Sequence, residues 1–400
     1  MTVASDGRTA PGVWRRLGKR LIQPFPEVDG NRVRSLHDAA ASFRIMLDAI
    51  RAAQTSVDLE MYLWDDDDLG RRFQRALSEA AKRGVRVRVL VDGFGASEVT
   101  GSPLRRVEEA GAAVRVFNPV RWYPYRRMFR RTHKKLLILD GCTGFCGGTG
   151  FSEVFLSGKS DERPWHDRMY QLSGPIVGQL ITQFEVDFAR WGPREGKFGS
   201  MPALGCASES HASVLTPKGS ARGRVLRGWP DGRDFPSTLL KRLHGAHTTI
   251  RIGTPYFVPR VRLLLALMRA LKRGVRVQLI VPAPEFSNLV LWHGGRRYLA
   301  PLLKRGAEVR LYGESFYHAK IAVIDQDVAI IGSSNLDGWS WRRNAELDLC
   351  FTDGATAQSL TTDFESDWLA SRPFTPELFR GGGAWNVFAA WIAERVRRWL

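Results

Sequence analysis

The segment Ala80–Gly93, AAKRGVRVRVLVDG, returns as ALKRGVRVQLIVPA at Ala270–Ala283. Each reads as the end of a helix, a Lys-Arg-Gly stop and a buried strand. Cations suit a helix C-terminus, glycine adopts the left-handed cap, and the β-branched run favours extended backbone. Strand-like flanks match too: Thr55–Trp64 with Thr248–Phe257 upstream, and Ala112–Pro119 with Ala307–Glu314 downstream. This period is far too long for a solenoid, so the chain must build two equivalent lobes. Alternating strands and helices predict an α/β fold, each lobe a mixed, mainly parallel sheet flanked by helices. A length of 400 residues also favours two domains over one core. The expected divisions are a basic N-terminal segment (1–29), a first lobe (30–192), a Gly/Ser/Pro-rich linker (193–222), a second lobe (223–372) and an amphipathic C-terminal segment (373–400).

Each lobe closes on a hairpin: RTHKKLLILDGCTGFCGGTG (Arg131–Gly150) and FYHAKIAVIDQDVAIIGSSN (Phe316–Asn335). Residues i and i+2 of a strand share a face, so His133 points with Lys135 and His318 with Lys320. Each strand turns at an aspartate, Asp140 or Asp325, and returns to small residues whose backbone N–H groups can approach an anion. An imidazole, an ammonium and short donors together suit a phosphate group. One His-x-Lys pair is common by chance. Two copies with the same downstream spacing are not, and two half-sites gain by facing each other across the lobes.

Composition narrows the partner. The 59 Lys and Arg against 41 Asp and Glu give a net charge of +18, which points to nucleic acid, an anionic membrane or another polyphosphate. Four cysteines without a CxxC pair are too few for a disulfide framework and suggest a reducing compartment. No apolar run approaches the roughly 18 to 20 residues of a spanning helix. The basic N-terminus lacks the continuous apolar stretch of a signal peptide, so a soluble or peripheral protein is expected.

The pattern H-x-K-x4-D-x6-G-[GS]-x-N, present twice, resembles the signature of the phospholipase D superfamily. His318, Lys320, Asp325, Gly332, Ser333 and Asn335 match it throughout; His133, Lys135, Asp140, Gly147 and Gly148 match, but Gly150 stands where the family has Asn. The wider stretch from Gly30 to about Trp368 resembles bacterial cardiolipin synthases of the short type without N-terminal membrane spans. The resemblance implies a catalytic set of His133, Lys135, Asp140, His318, Lys320 and Asp325, with Gly148, Ser333 and Asn335 binding phosphate. It implies a phosphohistidine intermediate, on His133 by family habit, with His318 as general acid and base. Glu346, 28 residues beyond His318, and Asp167, 34 beyond His133, are implied to orient the histidines; His166 is an alternative polar-network residue. No cofactor or metal is expected. The implied reaction converts phosphatidylglycerol to cardiolipin, with another lipid or alcohol as a further acceptor. Hydrolysis, a family nuclease and a lipid-binding protein with vestigial hairpins are the alternatives.

Two basic, aromatic stretches suit an anionic membrane: Arg121–Lys135, which would also suit single-stranded nucleic acid, and a C-terminal stripe of Trp385, Phe388, Trp391, Ile392, Val396 and Trp399 among arginines, whose amphipathicity, with the extent of the resemblance, favours the membrane. The expected location is therefore cytoplasmic, peripherally bound to the inner membrane, with the oligomeric state open. Gly150 loses a side-chain donor that its backbone N–H, Thr149 or Ser152 could replace, so Gly150→Asn is expected to retain or raise activity.

Overall fold

The computed structural model describes residues 23–120, 130–158, 163–191, 219–287 and 289–375. The basic N-terminal segment, the linker and the stretch Arg121–Lys135 lie partly outside these residues, and the C-terminal aromatic stripe lies wholly outside them.

The first half runs β1 (Val28–Leu36), α1 (Ala39–Ala52), β2 (Ser56–Met61), α2 (Asp68–Lys82), β3 (Arg86–Asp92), α3 (Ser102–Glu109), β4 (Ala113–Phe117), β5 (Lys135–Leu139), β6 (Thr143–Gly147), β7 (Met169–Ser173) and α4 (Ile176–Arg190). The second half repeats this plan. It runs β8 (Ala221–Arg227), α5 (Asp234–Gly245), β9 (Thr249–Gly253), β10 (Phe257–Val258), α6 (Val261–Lys272), β11 (Arg276–Pro282), α7 (Leu289–Leu303) and β12 (Glu308–Tyr312). It then continues through β13 (Ile321–Ile324), β14 (Val328–Gly332), β15 (Leu336–Asp337), β16 (Leu347–Phe351), α8 (Gly354–Leu369) and β17 (Ser371–Pro373).

The repeated motif lands as expected, its Lys-Arg-Gly ending α2 and α6 before β3 and β11. Gly84 and Gly274, both at φ +87°, adopt the left-handed cap where a side chain would be strained.

One continuous sheet of 15 strands joins the halves, in the order β17-β12-β11-β9-β13-β14-β16-β8-β1-β7-β6-β5-β2-β3-β4. The centre is the antiparallel pair β8–β1, and equivalent strands lie at equal steps on either side of it. The balance of pairings differs from expectation. Only β2–β3–β4 and β9–β11–β12 pair in parallel in this sheet, because only there are neighbouring strands linked by crossover helices. The remaining strands are antiparallel, so the sheet is mixed but not mainly parallel.

Three apolar clusters hold this frame. One packs α1, α2 and α3 under the first half, and another packs α5, α6 and α7 under the second. The third lies between the halves, where Leu136, Ile138 and Leu172 meet Val225, Ile321 and Ile331 beneath α4 and α8. Fully burying each such side chain contributes about 1.5–3 kcal/mol, so the interface is a core rather than a hinge. Cys146 and Cys350 are free and buried, whereas Cys142 is disulfide-bonded.

Candidate active site

Backbone bonds tie the start of each hairpin to the opposite half. His133 N–H donates to the Ala345 carbonyl at 2.8 Å, and Ala345 N–H donates to the Arg131 carbonyl at 2.8 Å. The equivalent pair has His318 N–H on the His166 carbonyl at 2.7 Å and His166 N–H on the Phe316 carbonyl at 2.9 Å. Ala345 and His166 each precede an acid, so each histidine is stitched beside the carboxylate of the opposite half.

The side chains follow. His133 Nδ1 lies 3.1 Å from Glu346 Oε2 and 3.1 Å from the Ser333 carbonyl oxygen. His318 Nδ1 bonds Asp167 Oδ2. Acceptors at Nδ1 fix the tautomer that carries its lone pair on Nε2. Thus Asp167 and Glu346 do reach the histidines, but in exchange: neither serves the histidine nearer to it in sequence. All four groups are buried, with 9% of His133 and 8% of His318 exposed.

Both lysines complete the centre. Lys135 Nζ donates to the His133 carbonyl at 2.6 Å and lies over the Tyr62 ring. Lys320 Nζ lies 2.9 Å from His318 Nδ1 and 3.5 Å from Asp167 Oδ2, and also donates to the His318 carbonyl. Burial, reinforced by Lys320, pulls the Lys135 ammonium down to about 7. Burial lowers Lys320 as well. His318 falls to about 3, through burial and then Lys320. His133 is lowered by burial against the opposing pull of Glu346. Burial alone would raise Asp167, yet Lys320 and His318 hold it at about 2. The same balance of burial against His133 and Lys135 holds Glu346 below its usual range. Burial disfavours the charged form of both lysines, and Lys320 adds to this at Lys135, so an anion beside them would favour the charged form again.

Other expected residues are placed differently. Asp140 and Asp325 sit at the far ends of β5 and β13, both at positive φ (51° and 53°), away from the histidines. Asp140 accepts from the N–H groups of Gln54, Thr55 and Ser56. Asp325 does the same for His247, Thr248 and Thr249. Both carboxyls are held below their usual range by these bonds, against the opposing effect of burial. They pin turns rather than touch the centre, which corrects the catalytic expectation for them.

Ser333 Oγ donates to Glu346 Oε2 at 2.6 Å, so it braces the acid of His133. Gly148 abuts the other acid; a Cβ there would stand 2.2 Å from Asp167 Oδ2. Asn335 lines the same cavity as His133, and its buried Oδ1 has no bonding partner. His166 lies outside the centre, with Nε2 2.8 Å from Asp367 Oδ1 and its ring stacked on Tyr312. Gly150 is buried against Leu63, whose Cβ would be 2.7 Å and carbonyl oxygen 2.8 Å from an added Cβ. An asparagine cannot enter that space without moving backbone, so the expected gain from Gly150→Asn is withdrawn.

The sequence reading missed the aromatic walls. Tyr62 meets His133 edge-on at 4.9 Å between centroids. Phe155, Trp165 and Phe316 surround His318. It also missed Asn344, whose Nδ2 reaches Glu346 Oε1 at 3.4 Å. The strand periodicity that reveals core positions carries no signal for contacts between halves. Among the described residues no His/Cys/Asp/Glu group could hold a metal, and no helix is long and apolar enough to cross a membrane.

Comparison with known proteins places this geometry. Residues 46–162 and 239–368 match the family model described as cardiolipin synthase, PLD-like domain. The chain is 32% identical over 375 residues to the major cardiolipin synthase ClsA of Bacillus subtilis, spanning 93% of this chain and 75% of that protein. It is 31% identical over 358 residues to cardiolipin synthase A of Pseudomonas aeruginosa, spanning 88% and 70%. Among solved structures, phosphatidylserine synthase of Haemophilus influenzae superposes with a TM-score of 0.67 at 15% identity, covering 90% of this chain and 91% of that one. Polyphosphate kinase of Porphyromonas gingivalis gives 0.56 at 14% identity, covering 84% and 46%. At those identities the structures speak to the fold alone.

Proposed function

The chain belongs to the cardiolipin synthase, PLD-like domain family, and we propose that it transfers a phosphatidyl group from one phosphatidylglycerol to a hydroxyl of a second, forming cardiolipin and releasing glycerol. The observation that carries this reading is the pair of buried imidazoles, each anchored at Nδ1 by a carboxylate of the opposite half and each accompanied by a buried lysine. His133 Nε2 attacks phosphorus as the phosphorus–oxygen bond to glycerol breaks. His318 Nε2 gives a proton to the departing oxygen, leaving a phosphatidyl-His133 intermediate. The incoming hydroxyl then attacks phosphorus, the phosphorus–nitrogen bond breaks, and His318 takes the hydroxyl proton. Lys135, Lys320 and Asn335 balance charge on the phosphoryl oxygens.

The low proton affinity of His318 fits this cycle. Burial and Lys320 keep the ring neutral. A phosphodiester anion beside the lysines offsets the Lys320 repulsion and lets the ring hold the proton it must donate. Asp167 and Glu346 act as positioning residues, fixing each ring's tautomer. Peripheral attachment to an anionic membrane on the cytoplasmic side is part of the proposal and rests on the +18 charge.

Purified protein incubated separately with phosphatidylglycerol vesicles and single-stranded DNA tests the reading. Cardiolipin plus glycerol supports transfer, and phosphatidic acid would mean hydrolysis. DNA cleavage alone would overturn the lipid assignment.

A further inference from the structure

The cavity that begins at His133 has a volume of about 790 Å³ and extends past Tyr256, Val258 and Trp339 to Arg260, Arg262 and Arg342. These arginines gather where α6 begins, an arrangement that works against the helix. Arg260 stands at the N-cap and supplies no side-chain cap; only its carbonyl takes up the N–H of Leu263, at 2.9 Å. In the first half, α2 holds the same place in the fold and begins with Asp67 capping Gly70 N–H, followed by Asp68. Anions favour a helix N-terminus and cations oppose it, by about 0.3–1 kcal/mol each at exposed sites. The second half has therefore reversed the charge at this one entrance. Arg260 is lowered by burial and by the nearby Arg342, Arg262 and Arg233. Among the described residues none of Arg260, Arg262 and Arg342 has a carboxylate partner.

A second observation comes from the inner part of the cavity. Asn344 is 9% exposed and lines it, with Oδ1 lacking any bonding partner while Nδ2 holds Glu346. A buried amide oxygen left unpaired calls for a donor such as a hydroxyl. Among the described lining residues the one carboxylate is Asp337, whose Oδ1 accepts from the N–H groups of Trp339 and Ser340, each at 2.8 Å. The cavity thus offers cations at a helix N-terminus at one end and a hydroxyl acceptor nearer His133. Those are the groups that recognise a phosphate ester of a polyol.

We propose that Arg260, Arg262, Arg342 and Asn344 form the subsite for the acceptor: the arginines hold the phosphate of a second anionic glycerophospholipid, and Asn344 accepts from one of its headgroup hydroxyls. This rests on the phosphatidyl-transfer reading and adds what selects the acceptor. The anchored headgroup presents its terminal hydroxyl to phosphorus on His133, where an uncharged alcohol or water would have to arrive unassisted.

The test uses full-length protein, dihexanoyl phosphatidylglycerol as a dispersed monomer and ethanol as a competing uncharged acceptor. No lipid surface is present, so general attraction to a membrane cannot contribute. Arg262 and Arg342 are exposed, so Arg262→Ala/Arg342→Ala should fold. The ratio of cardiolipin-type product to phosphatidylethanol should fall about ten- to a hundred-fold in this variant, the loss expected for charge-assisted bonds. An unchanged ratio, or equal loss of both products, overturns the subsite. Calorimetric titration with sn-glycerol 3-phosphate provides a readout independent of turnover, and binding should weaken about tenfold or more in the variant. If wild-type protein makes neither product, the transfer reading fails, and the titration still decides the subsite: undiminished binding overturns it.

Discussion

The Nδ1 atom of His133 lies 3.1 Å from Glu346 Oε2, across a separation of 213 residues, while Asp167 of the first half holds His318 of the second. Each of these imidazoles is therefore held by a carboxylate of the other half of the molecule. Glu346→Gln and Asp167→Asn should each lower kcat by on the order of 10² to 10⁴, the scale of losing an acid that sets a catalytic tautomer. KM should change far less. Steady-state assays on variants with wild-type circular dichroism check this, and an effect confined to KM would remove the positioning role.

Labelling separates the two imidazoles. After a rapid acid-free quench with short-chain phosphatidylglycerol, the phosphatidyl adduct should be found by mass spectrometry on the peptide containing His133. His318→Ala should slow its formation and its discharge, and His133→Ala should abolish the adduct. An adduct on the His318 peptide would reverse the two roles.

Gly148→Ala places a methyl against the Asp167 carboxylate, 2.2 Å from Oδ2 before relaxation. The carboxylate must move, and His318 loses its anchor. Activity should fall at least about tenfold, with less change in the denaturation midpoint than Gly150→Asn produces. The latter drives a side chain into Leu63, and overpacking of this kind costs about 1–3 kcal/mol. Urea titration of both variants alongside activity distinguishes a site defect from a packing defect.

Asp140→Ala and Asp325→Ala should destabilise the fold while sparing chemistry in the folded fraction. Each carboxylate accepts several backbone N–H bonds at a partly exposed turn, so a cost of about 1–2 kcal/mol apiece is expected. A loss of kcat without loss of stability would restore these residues to the catalytic centre.

Acid should destabilise the protein in two stages. His318 has a folded value near 3, below that of an unfolded histidine, so the unfolded chain binds its proton first. Its contribution is complete above about 6.5 and declines as pH falls from there towards 3. Asp167, near 2 when folded, contributes above about 3.9 and loses that contribution as pH falls towards 2. Denaturant midpoints should drop first between pH 7 and 4, and His318→Gln should flatten that part of the profile.

Much of the fold was legible because it is local. The Lys-Arg-Gly stops, β-branched runs and paired hairpins predicted α2, β3, α6 and β11, and the spacing of His and Lys put both pairs on one edge. What the sequence did not disclose is mostly non-local. The antiparallel share of the sheet depends on how β5, β6 and β7 return beside β2, which no single strand encodes. The two aspartates of the motif travel with its histidines and lysines in sequence, yet strand geometry carries them to the opposite end of each hairpin. The acids were found but which histidine each would meet was not, since separations of 28 and 34 residues carry no information on contacts across the halves. Gly150 looked like a missing donor because only its neighbours in space, Leu63 above all, show that no side chain fits.

The exchanged acids also bear on what a single half could do. Residues 23–191 alone would carry His133 and Lys135 without Glu346, and an unanchored imidazole. Two copies of that half, docked as the natural halves dock, would offer Asp167 of each to His133 of the other. A catalytic centre could then reappear from an associating fragment, but never from one fragment alone.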